Sequence, residues 1–108
     1  MDKIIIYVTC ASQTEAEKIA RDLVEKKLVA CANIMPAHTA MYEWKGELEK
    51  LSEVSMFLKT GGELFEKVRE RVCELHSYEY PCIVALPIIA GHEPFLEWID
   101  SETGANRR

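Results

Sequence analysis

A strand-like run followed by a capped amphipathic segment occurs twice in this chain, and that repeat constrains the fold more than any other feature. The first unit opens with Ile4-Ile5-Ile6-Tyr7-Val8-Thr9, a β-branched and aromatic run suited to a strand. Ser12 and Glu15 follow in the S-x-x-E spacing of a capping box, whose side chains satisfy orphan amides at a helix start. Behind them Ala16, Ile19, Ala20, Leu23 and Val24 recur at helical spacing and predict a helix to about Lys27. The second unit has the strand Val54 to Lys59, a further box at Thr60 and Glu63, and the stripe Leu64, Phe65, Val68, Val72 and Leu75. Between the units, Leu28 to Ile34 reads as a strand broken at Pro36, because proline cannot donate to a ladder. Ala40 to Trp44 resumes that arm, and Gly46 takes the turn of a long hairpin. Tyr80-Pro81 stops the second helix, and Cys82 to Leu86 begins a fourth strand. Pro94 opens a short last helix to about Asp100, and the tail from Gly104 to Arg108 is expected to fray. The pattern predicts one α+β domain over residues 1–108: a ferredoxin-like βαββαβ unit with an antiparallel sheet and a short C-terminal helix.

Two long helices cover only one face of such a sheet, and the other should then alternate with polar residues. These strands do not. Ile4, Ile6 and Val8 point one way while Ile5 and Tyr7 point the other; Ile83 and Ala85 oppose Val84 and Leu86. Leaving large side chains wet forgoes roughly 1.5–3 kcal/mol each. The C-terminal helix covers part of that face in one reading, and self-association covers it in the other. Long hairpin arms with unpaired edges favour self-association.

Eighteen acidic against thirteen basic residues leave a net charge of −5, which argues against a nucleic-acid partner, since phosphate binding needs a basic face. No stretch approaches the roughly 20 apolar residues of a membrane span. The start, Met1-Asp2-Lys3, runs directly into a strand without the apolar region of a secretory signal. Cys10, Cys31, Cys73 and Cys82 lie far apart with no C-x-x-C pair, so reduced thiols and a cytoplasmic location are expected.

Cys31-Ala32-Asn33, Tyr42-Glu43-Trp44-Lys45-Gly46, the segment Glu53-Val54 to Leu58-Lys59-Thr60, and His76-Ser77-Tyr78 with Pro81 stand in order. Together they resemble the CutA family of divalent-cation-tolerance proteins, from about Ile4 to Ile99. The resemblance implies a ferredoxin-like subunit in a homotrimer whose hairpins extend one another's sheets, and a cytoplasmic role in copper or divalent-cation tolerance. Such trimers are similar in architecture to PII-type signalling proteins, which leaves a sensor, regulatory or scaffold role as the alternative. Some family members carry a metal-linked cysteine where this chain has Val8, and a second histidine where it has Leu75. Ser77 replaces the proline that commonly follows the histidine, so part of that site carries over.

His76, at the end of the second helix, is the leading metal ligand, because imidazole suits copper, zinc and nickel. A histidine that serves its helix end is the structural alternative. Cys31 and Cys10 offer thiolates for a soft ion such as copper, against the ordinary buried thiol. Tyr42, Trp44 and Lys59, with Glu53 and Tyr78, suggest a ligand-binding cleft for a small anionic or planar molecule, against plain interface packing. His38 and His92 read as solvated loop residues. With no nucleophile elbow, phosphate loop or H-E-x-x-H motif, nothing points to an enzyme or to an organic cofactor.

Overall fold

The computed structural model describes residues 2–107, without the Arg107 side chain; Met1 of the expected strand-leading start and Arg108 of the expected tail lie outside the described residues. The elements are β1 (Lys3–Cys10), α1 (Gln13–Glu25), β2 (Cys31–Ile34), β3 (His38–Trp44), β4 (Glu47–Gly61), α2 (Phe65–Leu75), β5 (Ile83–Pro87) and α3 (Glu93–Thr103). The sheet runs β2-β4-β1-β5, and β3 pairs with the outer half of β4. Every pairing is antiparallel. Counting β2 and β3 as one arm broken at Pro36 gives the ferredoxin-like order.

Alternation sorts the side chains. Ile6, Val8 and Cys10 of β1 and Val54, Met56 and Leu58 of β4 are buried beneath α1 and α2, with Ala16, Ile19, Leu23, Val68 and Val72. The opposite face carries Tyr7 beside Phe57 and Thr9 beside Ser55 in register, with Cys31 beside Lys59. α3 crosses one end of this second face: Lys59 Nζ lies 5.6 Å from the Phe95 ring, and Lys3 pairs with Asp100 at 2.7 Å. Val84 and Leu86 remain about half exposed beside it. The C-terminal helix is therefore a partial cover.

The first box forms, with Ser12 Oγ accepting from the Glu15 amide at 3.1 Å. The Glu15 carboxylate reaches back to the Ala11 amide at 2.9 Å. The expected box at Thr60 does not form. β4 continues to pair Thr60 with Ile4 and Gly61 with Lys3, which commits Thr60 to the ladder, where its hydroxyl donates to Leu28 O at 2.7 Å. The chain enters α2 through a 3-10 turn at Gly62–Leu64 instead. β2 starts at Cys31 rather than Leu28 because α1 ends in a reversal at Lys27, whose φ is 58°. Amides of Lys27 and Leu28 bond to Val24 O and Leu23 O there, the pairing of a Schellman motif. The hairpin turn places Lys45 at φ 52° and Gly46 at φ 84°, the double positive φ of a type I′ turn. α3 runs past Asp100 to Thr103, and the tail expected to fray is held at Asn106. Asn106 Nδ2 donates to Lys26 O at 2.9 Å and Lys27 O at 2.6 Å, tying the tail to the end of α1.

Candidate functional site

Three elements meet where β1 ends. β1 delivers Cys10, the first turn of α1 delivers Glu15, and the residue that ends α2 delivers His76. A Cys10 sulfur, a Glu15 oxygen and a His76 ring nitrogen all lie within 4.8 Å of one another, and this is the sole such His/Cys/acid group among the described residues. The His76 side chain is fully buried. Its Nε2–H donates to Thr9 O at 2.7 Å, and its Nδ1 accepts the Tyr78 amide at 3.0 Å. A carbonyl only accepts and an amide N–H only donates, so the ring carries its proton on Nε2. Glu15 accepts from the amides of Ala11 and Ser77, both at 2.9 Å, and stands 3.9 Å from Nε2.

Electrostatics follow from that packing. Burial, with the charges of Glu15 and Glu53 adding to it, pushes the Cys10 thiol up to about 12. Burial also works to raise the Glu15 carboxyl, but hydrogen bonds from Ser77 and Ala11 outweigh it and hold it below the ordinary range. A thiol, an imidazole and a carboxylate match copper or zinc in type and nearness. An incoming ion competes with hydrogen bonds already made to both His76 nitrogens and both Glu15 oxygens.

The second feature is a groove of about 760 Å³ between the β3–β4 hairpin and the segment before β5. Tyr42, Trp44, Glu53 and Tyr78 all line it. Glu53 is buried at 6% exposure and accepts from the Tyr78 hydroxyl at 2.8 Å. Burial and the Glu53 charge hold the Tyr78 phenol above its ordinary range. Lys59, the cation expected among them, does not line the groove; its ammonium donates to Asn33 Oδ1 at 2.8 Å beside α3. The alternation of β2 also puts Cys31 on the face opposite Cys10, so the two thiols do not converge.

Sequence reading missed four contributors. Glu15 was fully accounted for as a cap. His38, expected on a loop, opens β3 and hydrogen-bonds Ser55 Oγ, which in turn meets the Tyr7 hydroxyl at 2.7 Å. Their local signal was the alternation that sets Tyr7 and Ser55 on one face; His38 joins them only through the bend at Pro36. His92 does precede α3 and stays exposed.

The fold is that of an α+β protein in which a thiol, a carboxylate and an imidazole come together where β1 ends. The comparisons carry it further: the family model for "CutA1 divalent ion tolerance protein" matches residues 4–102, and the chain belongs to that family. It is 48% identical to the divalent-cation tolerance protein CutA of Archaeoglobus fulgidus, over 88% of this chain and 92% of the relative. Protein CutA of Mus musculus is 43% identical over 90% of this chain, which spans 55% of that longer relative. The solved structure of the periplasmic divalent cation tolerance protein CutA from Archaeoglobus fulgidus superposes with a TM-score of 0.91 at 44% identity, covering 94% of this chain and 98% of the other. The Thermus thermophilus protein gives 0.91 at 41%, covering 94% and 99%. The Archaeoglobus fulgidus and Thermus thermophilus names describe divalent-cation tolerance proteins. Among the described residues no helix is long and apolar enough to cross a membrane.

Proposed function

We propose that residues 1–108 act as one domain of a cytoplasmic homotrimer in divalent-cation tolerance, binding copper or a similar thiophilic ion rather than catalysing a reaction. The convergence of Cys10, Glu15 and His76 within 4.8 Å carries this reading. Cys10 and His76 would hold the ion, with Glu15 supplying charge. The ion would draw the Cys10 proton, so affinity rises with pH; binding through Nε2 would also require the ring proton, now donated to Thr9 O, to move to Nδ1. The test is titration of metal-free protein with copper and zinc under reducing conditions, beside Cys10→Ser and His76→Ala. Saturable binding that either change weakens by about tenfold or more supports the reading. Binding indifferent to both removes the site.

The hydrogen bonds favour a second reading, in which His76 and Glu15 form a structural latch between α2, α1 and β1. His76→Ala strands a buried carbonyl and amide, and should lower the unfolding free energy by about 1–3 kcal/mol in urea titration. Destabilisation without any metal affinity in the parent protein selects the latch.

A further inference from the structure

The Tyr78 amide occupies the lone pair that a metal at His76 would need. His76 Nδ1 accepts that amide at 3.0 Å, and Nε2–H donates to Thr9 O at 2.7 Å. A neutral imidazole has one free ring lone pair and one N–H. Coordination through Nδ1 therefore takes the electrons that the Tyr78 N–H now uses. Coordination through Nε2 moves the ring proton to Nδ1, where it meets the same N–H, donor against donor. Either route expels the Tyr78 amide.

We infer that residues 76–82, the strap between α2 and β5, gate the Cys10, Glu15 and His76 cluster, so that its occupation and the release of the Tyr78 amide are one event. The inference rests on the metal-binding reading above and names how that site is regulated. The strap closes on the donors at two successive amides, since Ser77 N–H donates to Glu15 Oε2 at 2.9 Å beside the Tyr78 bond to His76. Cys10 and the His76 ring are both buried, so neither is reached without movement. Cys10 sits in the β1–β4 ladder opposite Val54, and Glu15 in the first turn of α1, where backbone bonds hold the chain. The strap's amides at Ser77 and Tyr78 are bonded to the site's own side chains instead. It is the part free to yield when those side chains change partners.

Tyr78 also supplies the outer anchor. Its hydroxyl donates to Glu53 Oε2 at 2.8 Å, and its ring centroid lies 4.9 Å from that of His76. Glu53 is buried in β4, so this bond ties the strap to the sheet. All of these contacts lie within one chain, and none depends on which surfaces a neighbouring copy covers. A hydrogen bond to a charged group shifts the closed-to-open ratio by about tenfold. A site that is competent only when open binds more weakly by the fraction of molecules that are open.

The experiment uses zinc, which has no redox chemistry, with the full chain under reducing conditions. Hydrogen exchange is followed amide by amide in the metal-free and zinc-saturated protein. The Tyr78 amide is expected to lose protection by about tenfold or more on saturation. The His76 amide, bonded to Val72 O at 2.9 Å, should keep its own. In stopped-flow mixing, Tyr78→Phe should take up zinc about tenfold faster than the parent, at a nearly unchanged dissociation rate. A parent protein that binds no zinc, or binds it indifferently to His76→Ala, overturns the metal site and the gate together. Saturable binding that His76→Ala weakens overturns the gate alone if the Tyr78 amide stays protected at saturation, or if Tyr78→Phe leaves the association rate unchanged. The exchange comparison needs no variant, so it decides even if Tyr78→Phe does not fold.

Discussion

Asp22 and Glu15 show how single side chains set the response of the fold to acid. Arg71 grips Asp22 with two hydrogen bonds of 2.8 Å from α2 to α1, and Lys26 adds a third at the same distance. The Arg71 bonds are the chief reason that the Asp22 carboxyl is held far below its ordinary 3.8, against the opposing effect of burial. Glu15 is likewise depressed from 4.5 by its amide partners, against burial. A depressed folded pKa contributes stability that is complete above the unfolded value and disappears as pH falls through the folded one. Urea midpoints should therefore hold between pH 7 and about 5, then decline as pH drops below 4.5 and past 3.8. Asp22→Asn should lower the neutral plateau and flatten the lower part of that decline. An acid limb identical in both proteins would show that the Arg71 clamp is not its source.

At the scale of elements, α1 ends with a lysine where glycine is the usual choice. Lys27 holds φ at 58° so that its amide and that of Leu28 can close the Schellman pair. An L side chain there costs about 1 kcal/mol relative to glycine. Lys27→Gly should raise the unfolding free energy by about 0.5–1 kcal/mol, read from the urea midpoint at unchanged slope. A loss of stability would mean that the lysine side chain makes up for its backbone strain. Local patterns of this kind explain what the sequence disclosed. The Ser12 box, the α1 stripe and the Gly46 turn depend on neighbours in the chain, and all form. The Thr60 box fails because the decisive partner, Ile4 on β1, is remote in sequence. The site divides the same way. Cys10 and His76 were recognisable from side-chain chemistry, whereas Glu15 was concealed by its capping role. Lys59 was drawn out of the expected cleft by Asn33 and Phe95, contacts that depend on where β2 and α3 come to lie.

At the scale of the whole molecule, the unresolved energetic burden lies on the sheet face that α3 only partly covers and on the projecting hairpin. Val84 and Leu86 are about half exposed on that face, while Met41 and Leu48 stand 62% and 70% exposed on the hairpin. β1 ends with Cys10 opposite Val54, so β4 from Glu47 to Glu53 pairs with β3 alone and presents a free edge among the described residues. An unpaired edge beside apolar side chains is a template for strand addition. Both features have one solution in the proposed homotrimer, where each hairpin lies along a neighbouring sheet. Sedimentation equilibrium should then return three times the 12.3 kDa chain mass. Leu48→Lys and Leu86→Lys probe the hairpin and the open face separately, since each puts a charge where burial is expected, at a cost of several kcal/mol per interface if the site is fully desolvated. Dissociation by both would join the two surfaces in one interface. Dissociation by Leu48→Lys alone would assign assembly to the hairpin and leave the half-exposed face to some other cover. A monomeric parent protein would refute the trimer, and the free β4 edge would then have to be protected by its charged flanks, Glu47, Glu49 and Lys50, rather than by a neighbour.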